Sequence, residues 1–191
     1  MEIIFATHNK HKLEEARNIA GNTYKINGLD FLNCNDEIPE TAKTLLGNAL
    51  QKALYIYDRY HCFCFADDTG LEIEALEGRP GVYSARYAGT NCSFEDNINK
   101  VLAELKGVEN RKACFKTAIA LIISNVAYFF EGAIQGKIID EKKGAAGFGY
   151  DPIFIPEGYD KTFAEMDACE KNSISHRAIA IQKMMDFLTK K

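Results

Sequence analysis

The spacing of hydrophobic residues changes several times along the chain, and each spacing predicts an element of secondary structure. An apolar run at 2–6 predicts a short strand, and residues 13–20 then carry hydrophobic side chains at helical spacing. A second helical pattern covers 43–59. Two strand patterns follow at 62–66 and 71–76, and the intervening sequence DDTG is interpreted as a turn. This pattern places two adjacent aspartates at the end of a strand.

The second half of the chain also mixes strands and helices. Ser93, followed three residues later by Asp96, resembles a capping box and predicts a helix that runs through Leu105. The remaining pattern predicts a long hairpin, a further strand, a glycine-rich loop and a final helix, at 112–123 with 126–132, 135–140, 144–151 and 175–188. Because strands and helices do not alternate regularly, we predict an α/β fold with a mixed sheet rather than a doubly wound one. Without a repeat or a linker, residues 1–191 are interpreted as a single domain.

Length and charge narrow the range of functions. The 191 residues are 47% hydrophobic, which is enough for one well-buried domain, including one with two lobes. The net charge of −4 argues against a protein that coats nucleic acid, because such proteins carry a basic surface. A nucleotide ligand is compatible with this charge, since a few local cations and a metal ion can hold a triphosphate.

The six cysteines are predicted to be reduced. The opening MEIIFATHNK has too short an apolar run for a secretory leader, which favours a cytoplasmic protein. Cys62 and Cys64 alternate along a strand, but no second close pair completes the spacing of a zinc site. The apolar stretch 118–130 is too short to cross a bilayer, so no membrane partner is expected.

The first strand-to-helix junction is the first candidate site. In THNKHK, the free N–H groups of a helix start and the positive end of the helix dipole suit a phosphate. Thr7 and Asn9 add hydrogen-bond donors, and Lys12 adds a positive charge within the first turn. The segment lacks the P-loop pattern, and an ordinary polar helix start is the alternative interpretation.

Three carboxylates form the second candidate site: Glu40, Asp67 and Asp68. Mg²⁺ in proteins usually takes one or two carboxylates together with waters and substrate phosphates. Adjacent aspartates repel each other, and a bound dication would relieve that repulsion. Solvated acids in a turn are the alternative interpretation.

The third candidate is the glycine-rich segment GAAGFGYDP at 144–152. Gly147 and Gly149 flank Phe148, which would let a flat ligand approach an aromatic ring. The spacing is not that of a dinucleotide-binding fingerprint, and a plain glycine-rich loop is the alternative.

The fourth candidate is KNSISHR at 171–177, where polar and cationic side chains begin the last predicted helix. These groups could contact a base or an anion, or a serine could simply cap the helix. Arg86 and Lys52 are further cations, each ambiguous alone. The sequence contains no metalloprotease, kinase or nucleophile-elbow motif, so nucleophilic Ser or Cys catalysis has no support.

Taken together, these segments resemble the inosine/xanthosine triphosphate pyrophosphatases, a family that hydrolyses deaminated purine nucleotides. The matching stretches are ATHNKHKLEE, PETAKTLLGNALQKA, ADDTGLEIEALEGRPGVYSARYAG, GFGYDPIF and KNSISHRAIA. Each stretch is modest alone, but all five occur in the family's order and together span residues 6–180.

The resemblance implies a fold and an activity. The implied fold is an elongated mixed β-sheet with flanking helices that form two lobes around a central cleft, and the implied assembly is a homodimer. The implied reaction converts ITP, dITP or XTP to the monophosphate and pyrophosphate with Mg²⁺, which keeps these bases out of DNA and RNA. A small purine nucleoside triphosphate is therefore the expected partner.

The resemblance also implies roles for individual residues. Glu40 and Asp68 would hold the metal, and Asp68, with Asp67 beside it, would act in catalysis. The remaining matched positions would bind substrate: Thr7, Asn9, Lys12 and Lys52 at the phosphates, Phe148, Gly149, Tyr150 and Asp151 at the base, and Thr69, Arg86, Lys171, His176 and Arg177 in further contacts.

Base selectivity has a physical explanation in this scheme. Hypoxanthine and xanthine carry a 6-keto acceptor where adenine carries a 6-amino donor. Arg177 can only donate hydrogen bonds, so it is expected to favour the keto bases. Guanine also has a 6-keto group, so its exclusion has to involve the 2-amino position.

Two positions depart from the family pattern. His8 stands where the family commonly has glycine. Gly47 replaces an acidic residue, and a glycine in mid-helix would cost about 1 kcal/mol relative to alanine.

Two rival functions are a Maf-like pyrophosphatase acting on pyrimidine or modified nucleotides and a catalytically silent nucleotide-binding module. The SHR and FGYDP segments argue against the Maf-like enzyme. The joint presence of Glu40, Asp67, Asp68, Lys12 and Lys52 argues against the silent binding module.

Overall fold

The computed structural model describes residues 2–190, which contain six strands and five α-helices. The strands are β1 (Glu2–Phe5), β2 (Lys25–Asn27), β3 (Cys64–Ile73), β4 (Lys112–Ile123), β5 (Val126–Ile138) and β6 (Phe154–Pro156). The helices are α1 (Lys10–Ala20), α2 (Leu45–Tyr60), α3 (Phe94–Glu104), α4 (Ala168–Ile174) and α5 (His176–Thr189). No helix within 2–190 is long and apolar enough to cross a membrane.

All six strands belong to one sheet, in the order β2-β1-β3-β4-β5-β6. β1 runs parallel to β2 and to β3, with Ile3 opposite Ile26 and Phe5 opposite Phe65. β5 runs antiparallel to β6. The sheet therefore combines parallel and antiparallel pairs, which confirms the predicted mixed α/β fold with flanking helices.

Two different sets of helices pack on the two faces of β3. Phe65 stacks on Phe5 with ring centroids 4.3 Å apart, and both pack with residues of α1 and α5. Cys64 and Ala66 instead pack with residues of α2. Because successive side chains of a strand point to opposite faces, residues 64–68 present odd-numbered side chains to α1 and α5 and even-numbered ones to α2.

The predicted turn at DDTG is wrong. β3 runs without interruption from Cys64 to Ile73, so Asp67 and Asp68 lie in the middle of a strand and not at its end. Aspartate, threonine and glycine together are a strong local turn signal. Strand preference, however, depends largely on packing and on neighbouring groups, and here both aspartates have partners from helices.

Several other elements also differ from the prediction. The separate strands expected at 126–132 and 135–140 are largely one strand, β5. The helix expected at 175–188 is preceded by a separate short helix, α4, and α5 begins at His176. Strands β2 and β6 were not predicted, because three residues are too few to show an alternating pattern. The capping box at Ser93 is confirmed, with Ser93 and Asp96 bonded to each other's backbone N–H groups.

Gly47 lies in the first turn of α2, so its interpretation as a mid-helix glycine is wrong. Thr44 caps the helix, and its hydroxyl accepts a hydrogen bond from the Gly47 N–H at 3.0 Å. A Cβ at Gly47 would lie 2.7 Å from Cβ of Ala42. The missing side chain therefore lets the preceding loop approach the start of α2 closely.

The chain divides into two compact units. Unit 1 contains residues 2–68, 117–132 and 176–190, and unit 2 contains Thr69–Lys116 and Ala133–Ser175. The core of unit 1 consists of the two clusters on the opposite faces of β1 and β3. The core of unit 2 includes Phe115 and Phe154, whose ring centroids are 4.7 Å apart. The central cleft implied by the resemblance stays a prediction.

Candidate active site

Asp67 lies on the α1 and α5 side of β3, with 1% of its side chain exposed. Lys12 Nζ donates to Asp67 Oδ1 at 2.8 Å, and Arg177 Nε donates to Asp67 Oδ2 at 3.1 Å. Burial alone would raise the pKa of Asp67, but the positive charges of Lys12, Arg177 and Lys52 outweigh burial and hold this pKa well below its usual range. Asp67 is therefore an ionised anchor and a poor proton acceptor.

This low pKa predicts how Asp67 affects stability at acidic pH. In the unfolded chain its carboxyl takes up a proton near the ordinary value of about 3.9, whereas in the folded chain it stays ionised. Its contribution to stability is complete above that value and decreases as the pH falls toward the folded-state pKa. Below pH about 3.9 we expect Asp67 to add about 1.4 kcal/mol per pH unit to the slope of the unfolding free energy. Denaturant unfolding of wild type and Asp67→Asn at several acidic pH values checks this, and equal slopes would contradict it.

Asp68 points to the opposite side of β3, toward α2. Its Oδ2 accepts a hydrogen bond from Nδ2 of Asn48 at 3.0 Å, and Nζ of Lys52 lies 3.7 Å from its Oδ1. Burial raises the pKa of Asp68, and the attraction of Lys52 and Lys12 only partly offsets this effect. Of the two adjacent aspartates, Asp68 is the better proton acceptor.

Lys52 connects Asp68 to Glu40. Its ammonium donates to Glu40 and lies near Asp68, so the two carboxylates converge on one cation within unit 1. Burial alone would lower the pKa of Lys52, but the charges of Asp68, Asp67 and Glu40 outweigh it and raise this pKa. Lys52 is therefore charged in the folded protein.

The donor atoms around Lys52 fit a hydrated Mg²⁺. Glu40 and Asp68 supply only carboxylate oxygens, which this ion prefers, and a positive charge is already accommodated between them. Glu40 keeps 33% of its side chain exposed, which leaves access for waters and phosphates. No cluster of three or more potential metal-binding side chains occurs within residues 2–190. Two carboxylates are nevertheless sufficient for Mg²⁺ when a phosphate substrate provides further ligands.

The start of α1 is held by its own polar side chains. The Lys12 N–H donates to Asn9 Oδ1 at 3.1 Å, which makes Asn9 the helix cap, and the Asn9 N–H donates to Thr7 Oγ1 at 3.1 Å. Burial lowers the pKa of Lys12 despite the nearby charge of Asp67. Thr7 and Asn9 were predicted to donate hydrogen bonds to a phosphate. Their side-chain oxygens also accept the backbone hydrogen bonds that shape this turn.

A second group of predicted residues lies together in unit 2. Lys171 Nζ donates to Asp151 Oδ2 at 2.7 Å and lies 5.0 Å from the ring centroid of Phe148. The Phe148 N–H also donates to Asp151 Oδ2, at 2.8 Å. A Cβ at Gly147 would lie 2.2 Å from the same oxygen, so only glycine fits there. The buried Asp151 thus fixes the loop that carries Phe148, while Gly149, at φ 61°, takes a left-handed conformation that favours glycine.

Tyr150 is buried in the core of unit 2, next to this loop. Its hydroxyl donates to the carbonyl oxygen of Ser84 at 2.9 Å. Ser84 in turn accepts a hydrogen bond from the Leu71 N–H through its hydroxyl. The structure therefore shows Tyr150 as a support for the loop, and its predicted role as a base contact stays a prediction.

The other predicted residues are divided between the units. Thr69 and Arg86 lie in unit 2, Thr69 half-buried in β3 and Arg86 with its guanidinium 5.4 Å from the ring centroid of Tyr83. His176 and Arg177 lie in unit 1, buried at the start of α5. A Cβ at Gly132 of β5 would lie 2.0 Å from the carbonyl oxygen of His176, so glycine allows α5 to begin there.

The guanidinium of Arg177 donates to Glu15 as well as to Asp67. These contacts make Arg177 part of the anchor around Asp67, and its role in reading the base stays a prediction.

Sequence reasoning missed two residues of the site. Glu15 bonds to Arg177, and Asn48 bonds to Asp68. Both lie on helices next to predicted lysines, since Glu15 follows Lys12 by three residues and Asn48 precedes Lys52 by four. Residues at these spacings share one helix face, so the helical period was the signal that could have found them.

The fold and this site define a class of protein: a mixed α/β protein with buried carboxylates and lysines arranged for a charged substrate. Comparison with known proteins gives the family. The sequence model described as Ham1 family matches residues 3–187, so the chain belongs to the Ham1 family.

Individual relatives support this membership. The chain is 54% identical over 188 residues to the dITP/XTP pyrophosphatase of Porphyromonas gingivalis, with 98% of this chain and 97% of the relative covered. It is 45% identical to the dITP/XTP pyrophosphatase of Bacillus subtilis, with 98% and 96% covered. Among solved structures, the Ham1 protein of Coxiella burnetii superposes with a TM-score of 0.90 at 36% identity, covering 100% of both chains. The Staphylococcus aureus Ham1 protein gives 0.89 at 38% identity, covering 100% of this chain and 99% of the other.

Proposed function

We propose that this protein hydrolyses the deaminated purine nucleoside triphosphates ITP, dITP and XTP to the monophosphate and pyrophosphate, with Mg²⁺ as cofactor. The observation that carries the proposal is the environment of Asp68. In a chain similar over its whole length to dITP/XTP pyrophosphatases, a buried carboxylate with a raised pKa lies beside a second carboxylate and a charged lysine. We also propose that the protein acts in the cytoplasm as a homodimer, as the resemblance implies.

The proposed reaction assigns one task to each residue of the site. Glu40 and Asp68 would hold Mg²⁺, which when bound would neutralise phosphate charge and acidify a water molecule. Asp68 would accept the proton of the water that attacks the α-phosphorus, because its carboxylate lies beside the proposed metal position near Lys52. The new bond joins the water oxygen to the α-phosphorus, the bond to the bridging oxygen breaks, and pyrophosphate leaves. Lys12 and Lys52 would stabilise the negative charge that develops on the phosphate oxygens.

Asp67 supports this reaction without exchanging protons. Its low pKa keeps it ionised, so it holds Lys12 and Arg177 in place throughout. Base preference would come from Arg177, whose guanidinium can only donate hydrogen bonds and therefore favours a 6-keto base over a 6-amino base. Sites that select by such bonds reject the wrong base by factors of about 10⁴ or more.

The first test is an assay of products. Purified protein with Mg²⁺ and ITP, XTP, GTP or ATP should release pyrophosphate from ITP and XTP and little from ATP or GTP. Orthophosphate in place of pyrophosphate would move the attack to the γ-phosphorus and contradict the proposed reaction. Absence of turnover on all four nucleotides would favour a silent nucleotide-binding module.

A further inference from the structure

Asn48 uses both ends of its side-chain amide in the middle of the site. It lies in α2 with no exposed surface. Its Oδ1 accepts a hydrogen bond from the backbone N–H of Ala42 at 2.9 Å, and its Nδ2 donates to Asp68 Oδ2 at 3.0 Å. A buried amide with partners at both ends has a fixed position, because turning it would leave polar groups unpaired.

The backbone of Ala42 determines which way round this amide lies. An N–H group can only donate, so the oxygen of Asn48 has to face Ala42 and its NH₂ group has to face Asp68. Oδ2 of Asp68 is then committed to accepting this bond. The other oxygen, Oδ1, is the one that lies on the side of Lys52.

The same amide also holds the segment that carries Glu40. Ala42 lies two residues after Glu40, so its hydrogen bond to Asn48 fixes this segment against α2. Gln51, three residues beyond Asn48, holds the neighbouring Thr41: the Thr41 N–H donates to Gln51 Oε1 at 2.9 Å, and Gln51 Nε2 donates to Thr41 Oγ1 at 3.0 Å. Gln51 thus acts on the segment alone, whereas Asn48 acts on the segment and on Asp68.

We propose that Asn48 is a positioning residue that orients both proposed Mg²⁺ ligands, Asp68 directly and Glu40 through Ala42. The proposal rests on the proposed function in taking these two carboxylates as the metal ligands. Residues that hydrogen-bond to metal ligands commonly change metal affinity or activity by about 10- to 100-fold when they are replaced. Asp68 and Glu40 keep their carboxylates in such a variant, so a loss of metal binding reports how these two ligands are held.

The test measures metal binding apart from activity. The dissociation constant for Mn²⁺ alone, used as a spectroscopic probe, is determined from the electron paramagnetic resonance signal of the free ion. We expect Asn48→Leu, which keeps the size and removes both bonds, and Asn48→Ser, which is smaller, to weaken Mn²⁺ binding by about 10-fold or more. At saturating metal, kcat for ITP should fall by a similar factor, with little change in KM.

The matched control is Gln51→Ala, which loosens the same segment without touching Asp68. We expect it to weaken Mn²⁺ binding by less than either Asn48 variant, because only the segment of Glu40 is loosened and the bond to Asp68 is kept. An Asn48 variant that folds, by circular dichroism, and binds Mn²⁺ like wild type would overturn the proposal. So would a Gln51→Ala variant with as large a loss, because the Asn48–Asp68 bond would then contribute nothing specific. These results leave ITP hydrolysis by wild type unaffected, so they are distinguishable from failure of the proposed function.

Discussion

Replacing Asp68 by asparagine should lower kcat for ITP hydrolysis by about 10³-fold while leaving the free energy of unfolding unchanged or higher. Activity is lost because an amide cannot take the proton of the attacking water and is a weaker ligand for Mg²⁺. Stability is kept because burial raises the pKa of Asp68, which means that the folded state disfavours its charged form at pH 7. The amide oxygen can still accept the bond from Asn48. Pyrophosphate release and urea unfolding at pH 7 measure the two effects.

The adjacent Asp67→Asn variant is the control, and its stability should change in the opposite direction. Asp67 is stabilised in its charged form by Lys12 and Arg177, so a neutral amide leaves the buried Arg177 and the partly buried Lys12 without part of their countercharge. We expect a clear loss of unfolding free energy at pH 7. If Asp68→Asn retained turnover with a normal fold, the assignment of Asp68 as the base would be wrong.

The opposite environments of these two aspartates follow from their being neighbours in one strand. In β3, Asp67 shares a face with Phe65 and is directed to α1 and α5, whereas Asp68 shares a face with Ala66 and is directed to α2. The turn expected from the sequence would not have separated them in this way. The continuity of β3 therefore explains how adjacent, chemically identical groups acquire one anchoring role and one proposed catalytic role.

The elements with a long regular pattern could be predicted from the sequence. Helix α2, the hairpin of β4 and β5 and the capping box at Ser93 all show periodicity or capping signals over many residues. The interruption at DDTG was predicted wrongly because the residues themselves favour a turn, while the lysines and the arginine that stabilise them in a strand come from distant segments. Arg177, for example, lies 110 residues from Asp67 in sequence.

In the candidate site, too, some residues could be predicted from the sequence and others could not. Its charged residues were found because acids and lysines stand out in the sequence and match a family pattern. Glu15 and Asn48, which orient them, were not predicted, and their roles become visible only through their hydrogen bonds. Which aspartate holds cations and which is the proposed proton acceptor also depended on the cations that reach each face of β3 from distant segments, and no signal within DDTG reports these contacts.

Arg177→Ala should reduce the free energy of unfolding by about 3–5 kcal/mol, because it leaves the buried Asp67 and the partly buried Glu15 without their shared cation. Arg177 is 1% exposed, so water cannot readily replace its hydrogen bonds. Denaturant unfolding at pH 7 checks the magnitude, and a variant as stable as wild type would contradict the anchoring role.

The matched variant is Arg177→Lys, which keeps the charge but loses the planar group that donates to two carboxylates at once. We expect its stability to lie between those of wild type and Arg177→Ala. The ratio of ITP to ATP hydrolysis rates separates anchoring from base recognition. Anchoring alone lowers both rates by a common factor, whereas the base contact implied by the resemblance requires the preference for ITP to fall as well. Because stability and preference are measured independently, the two roles of one buried guanidinium can be assigned from the same pair of variants.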